Sequence, residues 1–535
     1  MQNIYILIQD CVHNLSNLFT FNPLIQLSST RKYNSKLIYE LKLHDHIKQP
    51  IYYTGTNQIK LFHNIDTLII PTYVSYHNLH KLTHINKIIF YNPEIVTQIT
   101  KLTSLTSLIV LYNNDGEIDF SRCFHTNLKN LYDYVNCNNF DIKFEDITSF
   151  THLTRLCGSR FDTCIDLDQL LIFRNLKSLQ IDVLKNMSCV SELKSLSDLG
   201  IHSKWDNDLL VINHPNITRI KIEDFKSCSI LECFNLKKLE VVDCEMINLD
   251  TLTDLKTLIL SGRQSMNVNF NFDVTQCINL EYFQCHGKIT NFDSLHFHSQ
   301  TEFKLKQLVL FNNILEISSE IVRNLTSLHL SDYLKTFDLS NCINLKKLTI
   351  YWAKYINLNK SHQLEHLELY NEYPSSNYIN CCYFLNLTYL EGNYCSFLNL
   401  DELTKLNVLV LVNISKRELV KTWHGHILHM SNLTYLRLRT SDTLDNEIMH
   451  AKYLSNCKLK HLDCSFELDD LSGLNTLTYL TIKFNTQTNH MLTKLTRLIY
   501  VNIINSKFHL DLRNLTRLNL CYNENTTLPE MKIIE

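Results

Sequence analysis

The pattern Leu-x-x-Leu-x-Leu returns along most of this chain, and it leaves few folds open. Clear copies are Leu236-Lys-Lys-Leu239-Glu-Val241, Leu305-Lys-Gln-Leu308-Val-Leu310 and Leu345-Lys-Lys-Leu348-Thr-Ile350. Others are Leu364-Glu-His-Leu367-Glu-Leu369, Leu433-Thr-Tyr-Leu436-Arg-Leu438 and Leu515-Thr-Arg-Leu518-Asn-Leu520. About 22 copies run from Ile65 and Ile85 to Leu515, roughly 21 residues apart. Within each copy the final apolar positions alternate with free ones, the period of a short strand with one buried face. A unit this short cannot bury its own leucines, so copies must stack and cover one another. The expected fold is an α/β solenoid: a curved parallel β-sheet backed by short helical or 3₁₀ segments.

A second piece precedes several strands. It reads Asp146-Ile147-Thr-Ser-Phe150-Thr-His-Leu153, Asp250-Thr-Leu252-Thr-Asp-Leu255, Asp401-Glu-Leu403-Thr-Lys-Leu406 and Asp470-Leu471-Ser-Gly-Leu474-Asn-Thr-Leu477. Apolar residues three apart suit a 3₁₀ or single helical turn packed behind the sheet. With these two pieces the chain resembles the leucine-rich-repeat family, in its short-repeat class related to the phosphatase regulator SDS-22 and to internalins. That resemblance implies a horseshoe over residues 51–525. The family's ninth-position Asn or Cys is matched at Asn113, Asn136, Cys244, Asn313, Cys395, Asn485 and Asn523. An Asn there can satisfy backbone groups in the turn, forming a ladder between copies. The copy Leu128-Lys-Asn-Leu131-Tyr-Asp133 departs by placing an acid at an apolar position.

The residues between the core leucines have no folding duty and face the concave side of such a sheet. Early copies are mixed there. From about residue 280 to 440, aromatic and histidine residues gather: Tyr282, His286, Phe311, His329, Tyr351, Trp352, His366, Tyr370, Tyr389, Tyr394 and Tyr435, with Arg437 and Arg439. Tyr, Trp and Arg dominate protein-binding hot spots, although strands favour aromatics for packing alone. Glu240, Glu368, Glu391 and Asp463 are interspersed. That mixture fits a protein ligand better than a nucleic acid. The 51 Lys and Arg against 54 Asp and Glu agree, since a polyanion binder carries a basic excess.

Residues 1–50 break the repeat. Ile4, Leu7, Ile8, Cys11, Leu15 and Leu18 fall at helical spacing, followed by Pro23, Leu24, Leu27, Lys32 and Tyr33. The stretch resembles a degenerate F-box lacking its opening Leu-Pro and its Trp. The resemblance implies docking of a Skp1-like ubiquitin-ligase subunit through Leu7, Ile8, Leu15, Leu18, Pro23, Leu24 and Leu27. F-box-like proteins with such repeats occur in giant DNA viruses of amoebae, whose composition this chain resembles; a viral chain would act in the host cytoplasm. The other reading is an amphipathic cap covering the first copy, and the two are compatible. Residues 526–535 read as a short tail.

Other chemistry is poorly supported. With 9 Gly, neither a Gly-rich phosphate loop nor a Rossmann fingerprint occurs. His424, His426 and His429 do not share a helical face, and no zincin Glu follows. His77, His80 and His84 sit in a repeat loop, and Cys381-Cys382 has no second pair. Cys233, Cys277 and Cys342 fall one per copy, three residues before a strand Leu. That spacing predicts a column of buried thiols rather than a metal site. Asn324, Asn386, Asn432 and Asn514 each open an Asn-Leu-Thr tripeptide that recurs with the repeat. No apolar run spans a membrane, and the N-terminus has no basic segment of a signal peptide. The expectation is an intracellular, monomeric protein with no cofactor, no metal and no catalysis.

Overall fold

The structure is a computed structural model. It describes residues 51–52, 67–70 and 85–90 and, in runs between residues 99 and 522, the strands and the turns beside them. The chain divides into two compact units, Met1–Asp254 and Leu255–Glu535.

In the first unit, parallel strands follow one another in chain order from Ile51–Tyr52 through Thr67–Ile70 to Lys238–Val242. Their register is set by one apolar column: Leu68, Ile88, Leu108, Leu131, Leu156, Leu179, Leu199, Ile220 and Leu239 are successive cross-strand partners. The second unit repeats the plan from Thr257–Ser261 to Asn519–Tyr522. Its column starts Leu258, Phe283, Leu308, Leu328, Leu348, Leu367, Leu390, Leu409 and Leu436. Strand after strand shows the same burial: second and fourth residues inside, first, third and fifth outward. A one-residue slip would turn every leucine to solvent, so the pattern locks the register.

Before many of the described strands the chain turns by three-residue steps. Phe173 N–H donates to Leu170 O and Leu176 N–H to Phe173 O, both at 2.9 Å. Leu170, Phe173 and Leu176 are all buried. The same bonds recur through Cys381, Phe384 and Leu387 and through Leu400, Leu403 and Leu406. These i to i+3 bonds are 3₁₀ geometry, which puts every third side chain on one side. Of the expected short helical or 3₁₀ segments, the 3₁₀ form is the one seen in these turns. Among the described residues these include Leu167–Ile172 and Ala451–Leu454, while Leu419 N–H donates to Ser415 O at 2.9 Å, an i to i+4 bond. Much of the space opposite the main sheet is taken by small parallel ladders, including Leu209–Asn213 with Ser227–Leu231 and Tyr378–Asn380 with Ser396–Leu398.

The Asn-Leu-Thr tripeptide has a structural role in this stack. Asn386 Nδ2 donates to His362 O at 3.0 Å and Thr388 Oγ1 to Glu365 O at 3.0 Å. Asn432 and Thr434 do the same to Thr404 O and Asn407 O, at 2.9 and 3.2 Å. Both side chains satisfy carbonyls of the preceding copy as the chain enters its strand. The first unit uses the same device at Asn216 and Thr218.

Among the described residues no helix is long and apolar enough to cross a membrane. The F-box-like candidates Leu7, Ile8, Leu15, Leu18, Pro23, Leu24 and Leu27, and the tail 526–535, lie outside the described residues.

Candidate functional site

The outward side chains of the second unit form rows running across the strands. The row of first strand positions passes Tyr282, Gln307, Ser327, Lys347, His366, Tyr389, Val408, Tyr435, His461, Tyr479 and Tyr500. The row of fifth positions passes His286, Phe311, Ser331, Tyr351, Tyr370 and Asn393. Strands sit about 4.8 Å apart, close to the separation of stacked rings, so aromatic neighbours in a row stack.

In the first row His366 and Tyr389 lie 4.0 Å apart at 5°, and Tyr435 and His461 4.3 Å apart at 16°. In the fifth row His286 stacks on Phe311 at 3.8 Å and Tyr351 on Tyr370 at 4.5 Å. His329, from the middle row, bridges these two pairs, 4.9 Å from Phe311 and 5.5 Å from Tyr351. Stacked pairs of this kind contribute about 0.5–1.5 kcal/mol each beyond area burial. The rings are half-buried by one another, and burial lowers the pKa of His286 and His329 and raises that of Tyr351.

Two charged clusters sit on this band. Glu368 accepts from His366 Nε2 and from Thr349 Oγ1, the latter at 3.2 Å, with Lys347 Nζ at 3.9 Å. The His366 hydrogen bond, followed by its charge and that of Lys347, holds the Glu368 carboxyl below its ordinary range against the cost of burial. In the next strand Glu391 accepts from the Tyr389 hydroxyl and is bonded to Tyr370. Burial and then these bonds push both phenols well above their ordinary value. Further along, Asp463 is 3% exposed and receives two guanidinium groups. Arg437 Nε donates to its Oδ2 at 2.7 Å, and Arg439 Nη2 to the same oxygen at 3.0 Å. One buried carboxylate thus holds two arginines in fixed poses while both remain partly exposed. Arg437 also lies 5.9 Å from the Tyr435 ring centroid.

All thirteen outward candidates fall in the second unit, eleven of them on strands in outward register. Trp352 and Tyr394 are different: each is the first residue past its strand, with φ of 61° and 54°. Asn413, five residues on from Val408, takes the same left-handed turn at 54°. Bulky residues rarely adopt that conformation, and nothing in the alternation of the strand marks it. Sequence reasoning also passed over His461 and Tyr479, which continue the first row. Their register with Tyr435 was the available signal. A groove at the edge of the sheet, about 430 Å³, is lined by Glu281, Lys304, Lys306 and Asn324 among others. The described residues contain no group of three His, Cys, Asp or Glu positioned to hold a metal ion.

No family model matches the chain, and no curated protein matches it. Solved structures do. The complex of TLR13 with ssRNA13 is similar over 88% of this chain and 79% of that one, at 16% identity and a TM-score of 0.54. The chain has the leucine-rich-repeat fold. Two other leucine-rich-repeat structures also match. LIC12759 from Leptospira interrogans covers 72% of this chain and 92% of its own at 16% identity and TM-score 0.39. The functional domain of InlJ from Listeria monocytogenes, which includes a cysteine ladder, covers 72% and 70% at 19% identity and TM-score 0.32. In the leucine-rich repeats of the present chain, Cys244 and Cys395 stand at the consensus Asn position. Their thiols reach Lys226 O at 3.8 Å and Leu369 O at 3.5 Å.

Proposed function

We propose that this chain is a non-catalytic interaction scaffold. Its outward sheet face, between about residues 280 and 440, holds a protein partner. The observation that carries this reading is the band of ring contacts from His286 to Tyr370, stacked at its two ends and tilted through His329, with the His366–Tyr389 stack and with Arg437 and Arg439 on the same face. Rigid aromatic and guanidinium surface gives up little side-chain entropy on binding, which is why such residues anchor protein interfaces. Carboxylates at Glu368, Glu391 and Asp463 support a polypeptide over a polyanion. The test replaces Tyr351, Trp352 and Tyr370 together by Ala. Proteins captured by the purified chain are then compared by mass spectrometry, with melting temperature as the folding control. Loss of specific partners with little change in melting temperature supports the reading. Unchanged capture sinks it.

The domain reading that accompanies this is an N-terminal segment 1–50, a solenoid 51–525 and a tail 526–535, acting as an intracellular monomer that binds neither nucleic acid nor membrane. The F-box-like pattern of residues 4–38 supports a second role, substrate adaptor of a Skp1-cullin ubiquitin ligase. Pull-down with and without residues 1–45 tests it. A Skp1-like subunit lost on deletion supports the adaptor role, and no difference between the two chains removes it.

A further inference from the structure

The edge groove of the second unit carries a charge pattern of its own. In successive copies the residue that enters the strand is Glu281, Lys306, Thr326, Lys346 and Glu365, each donating its N–H to a carbonyl of the copy before. The row is symmetric: a carboxylate at each end, a lysine inside each carboxylate and a hydroxyl at the centre. Lys306 Nζ bonds Glu281 at 3.0 Å, and Lys346 Nζ bonds Glu365 at 3.0 Å. Both lysine heads therefore lean away from the centre, where Asn324 and Thr326 line the groove of about 430 Å³. Exposed pairs of this kind hold weakly, so both lysines can turn inward. Lys304, on the same groove, bonds the amide oxygen of Asn279 at 2.7 Å, which leaves its charge in place. Lys256 shares Glu281 at 3.4 Å. Four lysines thus meet two carboxylates, and two positive charges are left over. Asn344 and Gln363 add amide N–H donors to the rim.

We propose that this groove binds the phosphate monoester of a phosphorylated serine or threonine on the partner protein. The inference rests on the scaffold reading above and names a modification that its partner carries. Such a phosphate has about −1.5 to −2 charge at neutral pH, which matches the two spare positive charges. Lys306 and Lys346 stand two strands apart, about 10 Å at the usual spacing. An oxyanion held between them by contacts of about 2.8 Å on each side fits that width, with Lys304 beside a third oxygen. The flanking carboxylates decide against a nucleic acid. Its phosphates run in a continuous line, and a strand laid along this row would meet Glu281 on one side of the lysines and Glu365 on the other. A single dianion stays between the lysines. Glu281 and Glu365 are directly followed by Tyr282 and His366 of the first outward row. A partner seated on the aromatic band therefore reaches the groove with one side chain.

The test uses the peptide Gly-Ser-Gly-Ser-Gly-Ser-Gly phosphorylated on its central serine. Its phosphorus resonance is followed by NMR as the full chain is added. The line is expected to broaden and shift, and an excess of the unphosphorylated peptide should not displace the bound one. Lys304→Gln combined with Lys346→Gln is expected to weaken binding by about tenfold, or about 1.4 kcal/mol. Lys405 and Lys460 hold the same two places in later copies, so Lys405→Gln combined with Lys460→Gln removes equal charge from the same edge. That control is expected to bind like the parent. Melting temperature checks that both double variants fold. Absence of phosphopeptide binding, or equal loss in both double variants, overturns the proposal. A single-stranded thymidine octamer that binds more tightly than the phosphopeptide overturns it in favour of nucleic acid. Should the proposal fall while the Tyr351, Trp352 and Tyr370 replacement still abolishes partner capture, the scaffold reading stands and only the phosphate site is lost.

Discussion

Phe397 occupies the space that a side chain at Gly392 would need. A Cβ on Gly392 would fall 2.6 Å from Phe397 Cε2 and 3.3 Å from a methyl of Leu411. Gly392 stands in the inner column between Leu369 and Leu411, where most other copies carry Leu, Ile, Val or Cys. The core is kept full at that level by a ring from the opposite ladder, since Phe397 is 5% exposed. Gly392→Ala is therefore expected to destabilise the protein by about 1–3 kcal/mol through overpacking. Chemical denaturation measures it. Adding Phe397→Leu should recover part of the loss, and a Gly392→Ala chain as stable as the parent would refute the account.

Ser361 shows the reverse fault. It is fully buried in the three-residue turn, and its Oγ has no hydrogen-bond partner. Cys342 and Phe384 hold the equivalent places in the copies before and after, both fully buried. An unpaired buried hydroxyl costs about 1–3 kcal/mol. Ser361→Cys or Ser361→Ala is expected to raise the melting temperature, and calorimetry of the purified variants decides it.

Asn386 and Thr388 each bond a carbonyl of the preceding copy. Asn386→Ala or Thr388→Val should each cost about 1 kcal/mol, the net worth of one such bond. Amide hydrogen exchange should quicken in the copies on both sides of the junction. Loss confined to one side would mean that these bonds do not couple neighbours.

His214 predicts an acid limb in stability. Its Nδ1 accepts from Asn216 N–H at 3.2 Å, so Nε2–H donates to Leu193 O at 3.2 Å and the ring is neutral. Burial lowers its pKa below the ordinary 6.5. The unfolded chain then takes up a proton that the folded chain refuses. The contribution of His214 is complete above about pH 6.5 and is lost as pH falls towards the folded value. His214→Cys, the residue found at the matching Cys233, should flatten that limb in denaturation curves taken from pH 5 to 8. Burial lowers the pKa of His286, His329 and His461 in the same way, so some slope remains.

Thiol chemistry should divide the cysteines. Burial pushes Cys395 up to about 12 and Cys457 up to about 11, and raises Cys228 and Cys464 well above the ordinary value. The thiolate is the reactive form. Among the described cysteines, iodoacetamide at neutral pH should therefore modify the half-exposed Cys157 and Cys382 first, read by peptide mass spectrometry. Early alkylation of Cys464 would contradict the burial seen here.

The strands and their register were legible because a two-residue alternation tied to leucine has one solution in a stack. Leu348, Leu367 and Leu390 had to share a column, so His366 and Tyr389 had to share the row beside it. Less could be read of the turns. The tight, three-residue steps carry the same Leu spacing as a helical turn, and sequence alone did not separate a 3₁₀ segment from the start of an α-helix. The left-handed positions of Trp352 and Tyr394 carry neither Gly nor Asn to betray them. The bonds of Asn386 and Thr388 reach a neighbouring copy, and a pattern read along one chain does not show what lies across from it.

Several junctions among the described residues, finally, are written with the same few bonds. Asn and Thr at the entrance of one copy close carbonyls left open by the copy before, and the leucine column simply continues. A whole copy spliced in at such a boundary brings its own closing residues and leaves open carbonyls for the next. Within each unit the chain can lengthen by duplication with no new contact to invent, while its outward rows stay free to change residue by residue.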